Sequence, residues 1–317
     1  MRGTAVSHWA RGVFAALALL FALFAEAAEP PSKCSVCGAA PGEKYLTGKD
    51  GKVFCSEKCF ESTLPVCFLC GKHTDKWSVF EPAGNTYCPV CAALPKCFVC
   101  GMPCMGTKLR DGRTVCVDCS KTAVSDTGTA QNLFDDIRML MASELSIGTN
   151  NNIELRLADA NELKKHSEKL KRKDAVELGL YLRETTERFT ETHSGSSLFG
   201  DDFDKDKKIE LVKERMTIFA LDHMPEAKLA EVFAHELAHD WQSSVYPNIT
   251  DTKVKEGFAE YVASRVNTLL GRSGMNKRME TNSDPDYGDG YRMVKAAAEE
   301  GGLEGLRKWL ERFNTKP

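Results

Sequence analysis

His235-Glu236-Leu237-Ala238-His239 places two imidazoles four residues apart with a carboxylate beside the first. On an α-helix of about 3.6 residues per turn those histidines project from one face, one turn apart, so both rings can reach a single ion. Glu236 is rotated by about 100° from His235, so its carboxylate can act on a water beside the ion without ligating the ion itself. Zinc-dependent hydrolysis needs that division of labour, with neutral imidazoles as ligands and a separate carboxylate as general base. Histidine is scarce here, 7 of 317 residues, so the pairing is not a by-product of composition.

A hydrolytic zinc site takes three protein ligands and leaves a fourth position for water. The longer pattern HExxHxxGxxH fails, because Gln242 stands where glycine is required and Val245 where the third histidine would be. Glu256, in Val254-Lys255-Glu256-Gly257-Phe258-Ala259-Glu260-Tyr261, is the better third ligand. Glu260 lies one turn further along the same face, and we assign it to hold the free ring nitrogen of a ligand histidine. Spacing alone allows the two glutamates to exchange roles. The segment Lys255-Glu256-Gly257-Phe258-Ala259 resembles the third-ligand helix of gluzincin peptidases, where a glutamate completes an HExxH site.

Two helices must carry these residues. Pro225 suits the first turn of one, and Leu229, Val232, Phe233 and Leu237 form the apolar stripe that seats it on a core. Asp251 or Thr252 caps the other, which Phe258, Val262 and Val266 anchor. Residues 240–255 leave room for the reversal between them.

All thirteen cysteines fall between Cys34 and Cys119, in three copies of one unit. Cys34 and Cys37 are followed by Cys55 and Cys59; Cys67 and Cys70 by Cys88 and Cys91; Cys97 and Cys100 by Cys116 and Cys119. Each copy reads as a CxxCG knuckle, a hairpin with a tight turn, and a second cysteine pair, which together supply four thiolates to one structural zinc. Cys104 is left over. The glycine after each knuckle is expected at positive φ. A disulfide framework is the competing reading, and export would favour it. The threefold CxxCG repetition favours metal.

Fingers and peptidase motif on one chain resemble the LIM-domain-linked zinc peptidases known as plant organ-size regulators. The resemblance runs through Leu109-Arg110-Asp111-Gly112-Arg113-Thr114-Val115-Cys116-Val117-Asp118-Cys119, Leu178-Gly179-Leu180-Tyr181-Leu182, the HELAH helix, Lys255-Glu256-Gly257 and Tyr287-Gly288-Asp289-Gly290-Tyr291-Arg292, in that order. It implies an α+β fold with a zincin-like metallopeptidase domain behind a LIM-like finger array, and limited endoproteolysis of protein substrates. Spacers of seven and five residues between fingers depart from the two usual inside a LIM domain. An export signal is expected ahead of the fingers in place of ubiquitin-interacting helices, so substrates and regulation through ubiquitin are not carried over.

The expected cofactors are one catalytic zinc and about three structural ones. Glu236 acts as base, and Tyr287, ahead of Tyr291, is the expected second stabiliser of the oxyanion. Closed four-ligand fingers have no position for chemistry, so their expected role is structural or protein-binding. A non-catalytic zinc-stabilised interaction module is the alternative, and the complete set of ligands and base favours the enzyme.

Net charge is −3, which favours neither nucleic acid nor an anionic membrane as partner. Arg2 and Arg11 precede an apolar run from Val13 to Ala25 and then Ala25-Glu26-Ala27, the pattern of an export signal cut near residue 27. The expectation is therefore an exported protein with no stable membrane insertion; anchoring through residues 13–25 is the alternative. The domains read as 1–27 signal, 28–125 finger array and 126–317 metallopeptidase. Asp126 to Thr129 reads as a linker, Asn132 to Leu145 as an amphipathic helix, and Ile153 to Leu157, Gly179 to Thr186 and Ile209 to Leu221 as strands. A substrate peptide is expected along residues near Ile218 to Leu221, taken as the edge strand.

Overall fold

A computed structural model describes residues 33–80, 83–169, 178–193 and 205–315. The expected export segment lies outside the described residues. The chain falls into two compact units, Met1–Leu64 and Pro65–Pro317.

The first unit holds one finger. Strands β1 (Leu46–Thr47) and β2 (Val53–Phe54) pair antiparallel, with Leu46 opposite Phe54, and helix α1 (Glu57–Glu61) follows. Ser56 caps that helix by accepting from the Cys59 amide at 3.3 Å. The rings of Phe54 and Phe60 meet edge to face at 5.4 Å.

The second unit opens with two more fingers on the same plan. Strands β3 (Ser78–Phe80) and β4 (Asn85–Tyr87) lead to helix α2 (Pro89–Ala92), and β5 (Thr107–Lys108) and β6 (Thr114–Val115) lead to α3 (Val117–Ser120). Gly38, Gly71 and Gly101, after the three knuckles, have φ of 73°, 68° and 73°, a conformation that favours glycine.

Behind the fingers lies an α+β domain. Strand β7 (Ala123–Val124) leads to α4 (Thr127–Leu145), β8 (Ile153–Ala158) and α5 (Ala160–Lys169). Strands β9 (Gly179–His193), β10 (Lys205–Leu221) and β11 (Met224–Pro225) precede α6 (Glu226–Val245) and α7 (Thr252–Leu269). Helices α8 (Lys277–Thr281) and α9 (Gly288–Glu311) close the domain, the latter broken at Gly302.

Two expectations are corrected. The segment from Asp126 to Thr129 is no linker: Asp126 caps α4 through a 2.8 Å bond from the Thr129 amide, and residues 127–129 form the first helical turn. An aspartate followed by small polar residues suits a helix start as well as a loop. The strand ending at Leu221 is not an edge. The sheet order is β8-β10-β9, with Met216–Leu221 parallel to β8 and Lys205–Ala220 antiparallel to β9. Its backbone is paired on both sides, which leaves no ladder for a peptide near Ile218–Leu221. Among the described residues the edge of the sheet beside α6 is β9.

One continuous core joins the sheet to α4, α6, α7 and α9. Phe134 meets Phe233 edge to face at 5.4 Å, and Trp241 stacks on Phe258 at 5.4 Å. Helices α7 and α9 cross backbone to backbone. A Cβ added at Gly257 would lie 2.3 Å from the Gly290 carbonyl carbon. Glycine at both positions is therefore a packing requirement, and it carries Glu256 and the start of α9 to the same place.

The third finger is docked on this domain. Arg113, about a tenth exposed, reaches Asp111 at 2.6 Å, pairs with the Asp222 carboxylate and donates to the Asp222 carbonyl at 3.0 Å. Asp111 also accepts from the Ala160 amide at 2.9 Å. Strands β7 and β11 pair, with Val124 opposite Met224, and the Glu226 amide at the start of α6 donates to Thr122 at 2.8 Å. Thr122, three positions after Cys119, therefore touches the start of the helix that carries His235.

Candidate metal centres

Helix α6 is amphipathic in an unusual sense. Its apolar stripe (Leu229, Val232, Phe233, Leu237) is buried, and so are Glu236, His239 and Asp240. Helix α7, started by Asp251 accepting from the Val254 amide at 3.2 Å, buries Glu256 and Glu260 against it. Burying that much ionisable surface is costly unless the groups meet partners or a cation.

They meet one another. His235 Nε2 lies 3.2 Å from Glu256 Oε2 and 3.2 Å from His239 Nε2, and His239 Nε2 lies 3.3 Å from the same carboxylate oxygen. Three donor atoms therefore form a nearly equilateral triangle. Zinc bonds of about 2.0–2.1 Å to nitrogen and oxygen would set tetrahedral edges of about 3.3 Å, so the donor set fits that ion. Glu260 Oε1 stands 3.3 Å from His235 Nδ1, the ring nitrogen turned away from the triangle. It is placed to fix the tautomer that leaves Nε2 free to ligate.

The electrostatics agree. Burial works against a charged His235 ring, yet bonds to Glu256 and Glu260 and the nearby Glu236 carboxylate hold its pKa well above the ordinary value. Burial would raise Glu256, but His239 and His235 beside it pull its carboxyl far below the usual range. The pocket is built for positive charge.

Glu236 stays outside the triangle. It is buried on the neighbouring face of α6, where a Cβ added at Gly179 would lie 2.7 Å from its Oε1 and 2.5 Å from Val232 Cγ1. The missing side chain at the head of β9 is what gives the carboxylate its room. Tyr287, at the start of α9, lies roughly parallel to the His235 ring, with centroids 6.2 Å apart and planes 17° apart. Tyr291 is buried, with the Lys295 ammonium 5.8 Å over its ring.

The cysteines gather as three groups of four: Cys34, Cys37, Cys55, Cys59; Cys67, Cys70, Cys88, Cys91; and Cys97, Cys100, Cys116, Cys119, with the sulfurs of each group within 4.8 Å of one another. All thirteen cysteines are free of disulfides. Nearest sulfur pairs stand 3.4–4.0 Å apart. Zinc–sulfur bonds of about 2.3 Å imply edges of about 3.8 Å. Within the first group the amides of Cys37, Cys55 and Val36 draw the Cys34 thiol down to about 6. Cys55, facing the sulfurs of Cys37, Cys59 and Cys34, is pushed up to about 12. In the second, the amides of Cys70, Cys88 and Leu69 overcome burial to bring Cys67 to about 6, while burial and the other sulfurs push Cys91 to about 12. Four sulfurs this close do not all ionise unless a cation lies among them, which is the property of a structural zinc site. Cys104 stays apart, buried beside Cys97 and Val115.

Over 88% of its length the chain is 26% identical to Protein DA1 of Arabidopsis thaliana, spanning 61% of that protein. Over 90% it is 24% identical to Protein DA1-related 7 of the same plant, spanning 59%. The DA1 proteins are homologues of this chain. They are the LIM-plus-peptidase organ-size regulators that the motifs resemble, and the three four-cysteine clusters ahead of an α+β domain fit that architecture. The chain spans about three fifths of each relative's length. No protein-family model matches the chain, and no solved structure does.

Two residues of the centre have no role assigned to them by the sequence, although Gly179 lies within a block that carries the resemblance. Gly179 makes room for Glu236, and Asp240, directly after His239, is buried against Tyr181 on β9. A glycine inside an apolar strand and a carboxylate inside an apolar helix face are the signals that point to them.

Proposed function

We propose that the chain is an exported zinc-dependent endopeptidase whose fingers recruit a protein substrate or partner. The triangle of His235 Nε2, His239 Nε2 and Glu256 Oε2, with edges of 3.2, 3.2 and 3.3 Å, carries the reading. Three ligands with a separate base form an open site, whereas each finger offers four ligands and a closed one.

When bound, zinc supplies Lewis acidity to a peptide carbonyl and lowers the pKa of water. The rest of the chemistry belongs to the chain. His235 and His239 ligate as neutral rings, and Glu260 orients the first of them. Glu236, held in place where Gly179 leaves space, accepts a proton from water at the centre and returns it to the leaving amine. Tyr287, whose ring lies 6.2 Å from that of His235, donates to the developing oxyanion in this reading. The free edge of β9 offers backbone groups for an extended peptide, in place of the β10 segment.

Phe68, Val79, Val90, Met105 and Val117 are exposed on the second and third fingers, apolar surface suited to a protein partner. Export rests on the apolar run from Val13 to Ala25 behind Arg2 and Arg11.

Glu236→Gln tests the mechanism. Incubated with a denatured protein mixture, the wild type should create new chain termini and the variant should lose about 10²–10⁴-fold of that rate. Its zinc content should stay unchanged. Undiminished cleavage in the variant would remove Glu236 as base, and a wild type that binds zinc at all four sites without cleaving would be a zinc-stabilised binding protein.

A further inference from the structure

The base and the free edge of the sheet are tied together by a second contact. Glu236 and Asp240 are one helical turn apart on α6 and so share a face, and Gly179 and Tyr181 are two apart on β9 and share the opposing face. The two elements meet in two rungs. At the first, Gly179 lies directly against Glu236 and Val232. At the second, the Tyr181 hydroxyl donates to Asp240 Oδ1 at 3.0 Å.

Asp240 is only 1% exposed, and a lone buried carboxylate is costly. Around it Asn151 Nδ2 donates at 2.8 Å and the Thr149 hydroxyl donates to Oδ2. Arg138 in turn holds the carbonyls of Thr149 and Asn151 at 2.9 and 2.7 Å, so the loop after α4 cannot drift away. Burial and the Asp240 charge push the Tyr181 phenol up, which keeps it a proton donor throughout the neutral range. Leu180, between the two rungs, points the other way into the core.

We propose that Tyr181 and Asp240 are the positioning pair of the site, fixing the edge of β9 against Glu236 so that a peptide pairing with that edge brings its scissile bond to the base. This rests on the peptidase reading above. Neither residue touches the reacting atoms. Their effect is on where an extended substrate lies, so its loss should appear in KM before kcat.

Tyr181→Phe removes one hydrogen bond and little volume. KM for an unfolded protein substrate should rise about five- to tenfold, with kcat within about twofold of wild type. Zinc content should equal that of the wild type, and backbone amides of Gly179–Leu182 should exchange hydrogen faster while those of α6 do not change. Asp240→Asn, which keeps an acceptor for the phenol, should give a smaller rise in KM. A fall in kcat at constant KM, or unchanged exchange along β9, overturns the positioning role. Should the wild type cleave nothing, the peptidase reading fails separately. The exchange data and the affinity of a fluorescein-labelled unfolded protein, compared between wild type and Tyr181→Phe, then decide the positioning role, and equal affinities would overturn it.

Discussion

Around Cys67 the buried apolar company is Tyr87 and Cys91, and around Cys97 it is Cys104 and Val115. His235, His239 and Glu256 instead rest on a core that runs without a break through the sheet and helices α4, α6, α7 and α9. Both kinds of site bring donor atoms to metal-binding spacing, but they reach it differently. In the fingers, hairpins of two or three residues per strand cannot hold four sulfurs together by packing, so the ion must supply the folding energy. At the histidine centre the triangle is assembled by packing, by the glycine crossing of α7 and α9 and by the Glu260 contact. An ion there would be a ligand of a finished fold. The four-cysteine groups and the histidine centre therefore differ in what surrounds the donors as well as in donor type and number.

Metal removal should separate the two most sharply. With structural zinc worth about 10 kcal/mol or more to a finger, a strong chelator should abolish protection in the hairpins β1–β2, β3–β4 and β5–β6. Helices α6 and α7 should keep most of their amide protection in hydrogen exchange. Equal loss in both regions would break the contrast.

The third finger sharpens it, because it is tied to the α+β domain by side chains as well as by its chain connection. Arg113→Ala would leave Asp111, 1% exposed, without its guanidinium partner, at a cost of about 3 kcal/mol. Thermal melts should show that loss as a lower midpoint for the second unit, with zinc still bound at Cys97, Cys100, Cys116 and Cys119. A midpoint unmoved by the substitution would mean the docking contributes nothing.

The smallest effect is with pH. Burial alone would raise Asp111, but the Ala160 amide and the Arg113 guanidinium outweigh it and hold its pKa below the ordinary value. The folded chain then binds fewer protons at this group than the unfolded one. Its contribution is present above about pH 4, the ordinary carboxylate value, and is lost as pH falls through the depressed folded value. Denaturant melts between pH 5 and pH 3 should therefore show a steeper loss of stability in wild type than in Arg113→Ala. Parallel curves would remove Asp111 as the source.

Much of the centre is legible along the chain because its geometry is local. Four residues of helix bring His235 beside His239, and the apolar spacing of Leu229, Val232, Phe233 and Leu237 says which side is buried. Repetition makes the finger plan legible too, since a period near thirty residues survives any uncertainty about single turns. What is not legible involves partners far apart in sequence. The alternation in Ile209–Leu221 marks a strand but not its place in the sheet, so the edge falls to β9 only once β8 pairs on the other side. Asp126 shows how one residue type serves both a turn and a cap. Nothing near Arg113 announces Asp222, and nothing near Tyr181 announces Asp240.

Residue order by itself determined which donors exist, how many there are for each ion, and which helix faces and knuckles present them, because those relations repeat every turn or every hairpin. Only the tertiary structure decided that Glu256 completes the triangle while Glu260 backs His235, that β9 rather than β10 is an edge of the sheet among the described residues, and that the third finger leans on the helix that holds His235 and Glu236. Those outcomes depend on the packing of segments from 21 to 109 residues apart, where backbone pairing and buried charge, not local spacing, select among the arrangements that the motifs allow.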